Sequence, residues 1–204
     1  ERTWLVSVYL LNAADLWLKL ERPDATVLHG FALPCGLTLD VAAIEDGRIC
    51  GIIFWTGAED PHELARSVIA AKAYLAEIWV LSSPSGVESM RGSLPLHVGF
   101  RVARKSGVNP SVAMPASVYE PSPFDLIALL DRAELAELAT MFDVPTVPRA
   151  IVAAGRLQHG QLGFKELVTA IIRRRSDIEP PSKIEILKAS KPWSAVVPPV
   201  FAEG

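Results

Sequence analysis

Cysteine is scarce in this chain: 204 residues hold two, Cys35 in "LPCGL" and Cys50 in "RICGI". Neither sits in a CxxC or Cys/His spacing, which excludes a zinc ribbon and a disulfide framework and suits free thiols in a reducing cytosol. Histidine is also sparse. His29, His62, His97 and His159 never fall four apart, so no helical metal pair is available. No glycine loop carries a phosphate-binding lysine, since "GVNPS" and "AAGRLQHGQLG" lack both that residue and a strand-to-helix setting. Ser82, Ser83 and Ser85 lack the small-x-Ser-x-Gly frame of a nucleophile elbow. A net charge of -3 gives no overall attraction to nucleic acid or to an anionic membrane, so such binding would need a local patch. No signal peptide is expected, and the apolar opening is broken by Asn12, Asp15 and Lys19 before it reaches bilayer length. A cytoplasmic protein without a membrane partner is the expectation. The chain begins at Glu1 rather than methionine, which leaves room for sequence upstream.

What is present is a core. Half of the residues are hydrophobic and about a fifth are charged, enough for one globular domain with a modest appendage. In the opening helix the three polar residues fall on one narrow strip, with apolar groups such as Leu10 and Trp17 around the rest. Such a helix is buried on most sides or shared with a second copy or a protein partner. A strand, "ATVLHGFAL", follows, then two more joined at Asp46-Gly47. "DPHE" starts a helix, with Asp60 as cap, Pro61 first and Glu63 third; Leu64, Val68, Ala71 and Leu75 carry its buried face and predict helix over 61–77. "IWVLSSP" reads as a buried strand, 85–94 as a short helix or loop, and 97–107 and 111–121 as strands. From Pro123 the texture turns helical, in "FDLIALLDRAELAELATMF" and again in "GFKELVTAIIRRR". The expected architecture is α/β: a mixed central sheet flanked by helices over residues 1–121, a small helical extension over 122–178, and a proline-rich tail over 179–204.

The hairpin turn fixes what Asp40 meets. With Asp46-Gly47 at its centre, Glu45 faces Arg48, Ala43 faces Cys50, and Asp40 faces Ile53 with Trp55 on the same side. A two-acid metal site would place a second carboxylate and a lysine there. In its order of elements, through "LDVAAIEDGRICGIIFWTG", the helix from Asp60, "IWVLSSP" and "HVGFRVARKSG", the chain resembles the PD-(D/E)xK nuclease superfamily, the restriction-endonuclease-like fold. The resemblance implies that Asp40 is the first catalytic acid and a metal ligand. Ile53 then stands in place of the second acid and Trp55 in place of the lysine. Members of that superfamily that recruit groups from the following helix would draw here on Lys72, at the edge of the buried stripe, and on an acid among Glu59, Asp60 and Glu63. Mg²⁺ is expected only in that active case; otherwise no cofactor is expected.

Charge is segregated near the C-terminal end. Residues 149–175 carry Arg149, Arg156, Lys165, Arg173, Arg174 and Arg175 against Glu166, whereas 120–143 carry Glu120, Asp125, Asp131, Glu134, Glu137 and Asp143 against Arg132. The basic segment either holds a nucleic-acid backbone, through Arg156, Lys165, Arg173, Arg174 and Arg175, or docks on the acidic helix before it. The leading expectation is a nuclease-fold protein without cleavage that binds nucleic acid. A protein-interaction or scaffolding module is the alternative, and a metal-dependent nuclease completed by Lys72 is the third reading.

Overall fold

The computed structural model describes residues 2–57, 59–90, 92–104 and 106–177. The expected proline-rich tail, 179–204, lies outside the described residues. Six strands form one sheet in sequence order: β1 (Thr26–Ala32), β2 (Thr38–Glu45), β3 (Arg48–Trp55), β4 (Glu77–Ser82), β5 (Gly99–Val102) and β6 (Ser111–Met114). The pairs β1/β2, β2/β3 and β5/β6 are antiparallel, and β3/β4 and β4/β5 are parallel. With helices on both faces this is the α/β class, with a mixed sheet.

The β2–β3 turn has positive φ at both Asp46 (47°) and Gly47 (73°), the geometry that matches strand twist in a two-residue hairpin. The register follows from it: Glu45 pairs with Arg48, Ala43 with Cys50 and Val41 with Ile52. A side chain at Gly47 would come within 3.3 Å of the backbone nitrogen of Glu166, so the turn is also where a later helix docks.

Helix α1 (Arg2–Glu21) lies on one face of the sheet. Leu10, Leu11, Ala14, Trp17 and Leu18 pack with Val41, Ala43, Cys50, Ile52, Phe54, Trp79 and Leu81. Asn12 and Lys19 are exposed, as the polar strip requires. The apolar side of the helix over residues 10–18 is therefore spent on its own sheet. Its far end is pinned by Arg101 of β5, whose guanidinium lies 4.1 Å from the Trp17 ring and 4.9 Å from that of Trp79. The same group donates to Glu21 Oε1 at 2.8 Å, and Asn109 donates to that oxygen at 3.0 Å. Trp79 can lie across β5 because position 99 is glycine; a Cβ there would be 2.3 Å from the indole.

The opposite face is covered by α2 (Pro61–Ala71) and by α4 (Pro123–Ile127), α5 (Arg132–Met141) and α6 (Pro148–Arg173). Leu64, Val68, Leu126, Leu138, Ile151, Phe164, Val168 and Ile172 share one core with Leu39, Ile49, Ile53 and Val80 of the sheet. The helices beyond residue 122 thus form the cover of a sheet face. The short α3 (Val87–Met90) continues a 3₁₀ turn at Pro84–Gly86 and adds Met90 to the same core.

Four elements differ in extent from the sequence expectation. Helix α2 stops at Ala71, not 77, because the chain must turn to enter β4; Ala76 already donates to Ile49 in the sheet, while Leu75 keeps its buried place. Strands β5 and β6 are shorter than 97–107 and 111–121. Pro115 has no amide to continue the β6 ladder. Residues 148–159 are helical, opened by Pro148 and continued through a bend at Gly160 (φ 70°, ψ 177°) into the expected helix.

Candidate functional site

Asp40 sits where the regular alternation of two strands slips. Along β2, Leu39 and Ala42 are three apart, yet both belong to the core under α2; along β1, Leu28 and Phe31 do the same. A strict two-residue repeat would send members of each pair to opposite faces. The register of β1 with β2 runs from Thr26↔Ile44 to Ala32↔Thr38 but skips the pair between, Gly30 with Asp40. Gly30 has φ 64°, a left-handed value that glycine adopts without steric cost. The bend frees the Asp40 side chain to turn toward β3, where its Oδ2 accepts the Phe54 N–H at 2.7 Å. The antiparallel β2/β3 pairing ends one step earlier, at Val41↔Ile52. A carboxylate thus takes over from the ladder.

Burial pushes the Asp40 carboxyl up to about 7, and the charge of Glu59 adds to the rise, while the Phe54 amide and its own amide pull the other way. Glu59 comes from the segment after β3, where Thr56 Oγ1 donates to its carboxylate at 3.2 and 3.3 Å. Next to it, at the carboxyl ends of the parallel strands β3 and β4, Ser82 Oγ donates to the carbonyl of Trp55 at 3.1 Å. The Trp55 indole donates to Ser89 Oγ at 3.0 Å, which in turn donates to the Gly86 carbonyl at 2.9 Å. In open α/β sheets this is the end where ligands usually bind.

The other sequence-predicted residues are not brought to this place. Ile53 and Trp55 are both 1 % exposed and belong to the core. Asp60 is the cap of α2, accepting the His62 amide at 2.9 Å, and Glu63 lies in its first turn. Lys72 ends the same helix, and its ammonium lies 4.0 Å from the centre of the Tyr119 ring. It is at the far end of β3 from Asp40: Ala76, four residues on, bonds Ile49, whereas Asp40 bonds Phe54. Five residues of strand separate those points, about 16 Å at the usual rise. A cleft of about 400 Å³ does open beside Lys72, lined by Tyr119, Glu120, Ser122 and Asp125, but Asp40 takes no part in it.

Around Asp40 the ligand set is small. Among the described residues no three His, Cys, Asp or Glu side chains converge.

Half of the basic segment, Lys165, Arg174 and Arg175, is neutralised within the domain. Arg174 meets Glu137 through two bonds, at 2.9 and 2.7 Å. Arg175 bonds Glu134 at 2.9 Å and the Leu129 carbonyl at 2.9 Å, with its guanidinium 5.6 Å from the Phe31 ring. Lys165 is 4 % exposed and reaches Glu120 at 3.0 Å; Arg48 takes the other oxygen of that carboxylate. Among the described residues no acid pairs with Arg156, which is exposed, or with Arg173, which is half-buried and has an Nε without a hydrogen-bond partner. A buried lysine and two internally paired arginines present little charge to a phosphate backbone.

No family model matches the chain, and no curated protein matches it. Among solved structures the chain is similar to a protein of unknown function from Silicibacter pomeroyi, at 16 % identity and a TM-score of 0.47, covering 67 % of this chain and 91 % of that one.

Two parts of the site were not foreseen from the sequence. One is the slip at Gly30, although a lone glycine inside an alternating strand is the usual mark of a bulge or bend. The other is the Phe54 amide as the partner of Asp40. No side-chain pattern announces a backbone donor.

Proposed function

We propose that this chain is a restriction-endonuclease-like module that does not cut nucleic acid and works as a protein-interaction scaffold. The supporting observation is the fate of the arginine run, whose second and third members are committed to Glu137 and Glu134 within the domain. A nucleic-acid surface gains its affinity by releasing counterions from phosphates, and arginines already matched with carboxylates release few. The reading of Asp40 as a non-cleaving group is supported by the position of Lys72 at the other end of β3.

The test is fluorescence anisotropy of labelled single- and double-stranded DNA and RNA at low and physiological salt. It is paired with digestion in Mg²⁺ or Mn²⁺ beside an Asp40→Ala control. The expected result is no salt-dependent binding and no cleavage. Binding with a salt slope near roughly -3 that disappears when Arg173, Arg174 and Arg175 become alanine would restore the nucleic-acid reading. Cleavage that disappears in the Asp40 control would make the protein a nuclease.

One observation favours nucleic acid as a second reading. Arg149 and Arg156 are both exposed on the first half of α6. Seven residues apart, they share a helix face at about 10 Å, a spacing that can span neighbouring phosphates. Two such contacts would give a slope of only about -2 and little sequence preference. Replacing both with alanine separates this surface from the arginine run.

A further inference from the structure

A helix that packs along its whole length turns a residue inward every third or fourth position. Around its bend α6 does not: residues 156–162, Arg-Leu-Gln-His-Gly-Gln-Leu, are all exposed. The cause is the backbone at Gly160, with φ 70° and ψ 177°, which folds the helix back on itself. A Cβ at Gly155 would lie 2.2 Å from the Phe164 ring, although nine residues of straight helix would hold the two about 13 Å apart. The stretch is the projecting corner of a helical hairpin.

Inside the corner the apolar groups are used. Phe142 and Phe164 are buried with ring centres 6.1 Å apart, and the His159 ring lies 5.9 Å from that of Phe142. Outside it stand Leu157, 89 % exposed, and Leu162, 64 % exposed, which the fold leaves in water. The charge along the stretch has one sign. Between Asp143 and Glu166 the chain holds no acid, while Arg149 and Arg156 are exposed. Glu120, which reaches Lys165 from another part of the chain, is matched by that lysine and by Arg48.

We propose that this corner is a contact site for an anionic lipid surface: Leu157 and Leu162 enter the headgroup layer, and Arg156 meets its negative groups. Arg149 lies seven residues, or about 10 Å, back along the helix, within about a Debye length of the charged plane at low salt. No helix among the described residues is long and apolar enough to cross a membrane. A contact from one side asks for no such helix, only for apolar groups that reach about 5–10 Å into the boundary with cations behind them. Shape and composition favour lipid over two other partners. A protein interface of ordinary size engages about 20–30 residues a side, whereas the projecting part is a corner of 156–162. A nucleic-acid backbone would use the arginines and leave both leucines in water. The lipid contact is independent of the scaffold reading.

The test is co-sedimentation of the whole chain with vesicles of phosphatidylcholine alone and of phosphatidylcholine with about a third phosphatidylserine, at low and physiological salt. Binding to the anionic vesicles that weakens with salt is expected, with little binding to the neutral ones. Leu157→Ser and Leu162→Ser should each weaken it about tenfold, since each withdraws one leucine from the boundary. Arg156→Ala should weaken it about fivefold, the usual effect of one cation near such a surface. All three side chains are exposed, so the thermal midpoints of the variants should match that of the parent. An anionic monolayer should rise in surface pressure with the parent and not with the double serine variant. Absence of binding to the anionic vesicles overturns the proposal. So does binding that needs the arginines but not the leucines, which is adsorption by charge and would extend to a DNA duplex run alongside. Self-association without vesicles that disappears in the serine variants would assign the corner to a second copy of the chain and overturn it as well.

Discussion

Two places in this molecule set acidic side chains in very different surroundings. Under the sheet, Glu134 and Glu137 of α5 each receive an arginine from the end of α6, so every negative charge has a positive one within 3 Å. At the end of β3, Asp40 receives a backbone amide and a second acid. The first arrangement fixes a helix in place. At the second, burial raises the proton affinity of Asp40. Burial without a counter-charge is what sets Asp40 apart, and the charge of Glu59 adds to it.

The largest effect that would sharpen this contrast is expected at Arg175. Replacement by alanine strips Glu134 of its partner, leaves the Leu129 carbonyl unpaired and removes the guanidinium from Phe31. Glu134 is only 13 % exposed, so the orphaned charge is poorly solvated. A loss of about 2–3 kcal/mol in urea unfolding is expected, near the lower end for a broken buried pair. A loss under about 0.5 kcal/mol would mean that the pair is no better than a surface one.

At Asp40 the sign reverses. Its carboxyl is raised from the ordinary value of 3.8 to about 7, so the folded state binds the proton more tightly than the unfolded chain. The contribution to stability is full below about pH 4, falls as pH rises toward 7, and is absent above it. Asparagine escapes that fall. Asp40→Asn should therefore be more stable than the parent at pH 8.5, by about 2 kcal/mol once partial exposure is allowed for, with the gap closing at pH 4–5. Urea midpoints at both pH values check this; a variant destabilised at pH 8.5 would mean that the negative charge itself is required.

Gly30 should give a smaller effect. A Cβ there meets nothing within 4 Å, so Gly30→Ala costs only left-handed backbone strain, about 1 kcal/mol. It should also disturb the Asp40 titration, because the bend is what turns that side chain toward β3. Loss of stability without any change in the titration would separate the bend from the acid. The smallest effect is expected at Arg174, whose pair with Glu137 is open to solvent. Arg174→Ala should leave the thermal midpoint near that of the parent, and a marked drop would erase the distinction between its pair and that of Arg175.

The sequence made the hairpin legible because Asp-Gly admits few turn geometries, and that turn alone sets Val41 against Ile52. The start of α2 was equally legible, since Asp60, Pro61 and Glu63 each answer a specific need of a helix N-terminus. The end of that helix was not. The same apolar spacing continues through Leu75 although the backbone has already turned. At Asp40 the paired strands were readable, but the face was not: the alternation slips at Gly30 and Asp40 together, and a two-residue pattern carries no record of a bend shared by two strands. The helix over 148–159 escaped notice because its glycines and prolines argue against it one by one, whereas burial of Ile151 and Val152 against the sheet decides in its favour.

The clamp on the first helix has a consequence for synthesis. Helix α1 is complete once residue 21 is made, yet the groups that fasten its far end, Arg101 and Asn109, come 80 and 88 residues later. At ordinary elongation rates that interval lasts on the order of ten seconds. Throughout it the helix presents Leu10, Leu11, Trp17 and Leu18 with no finished sheet to receive them.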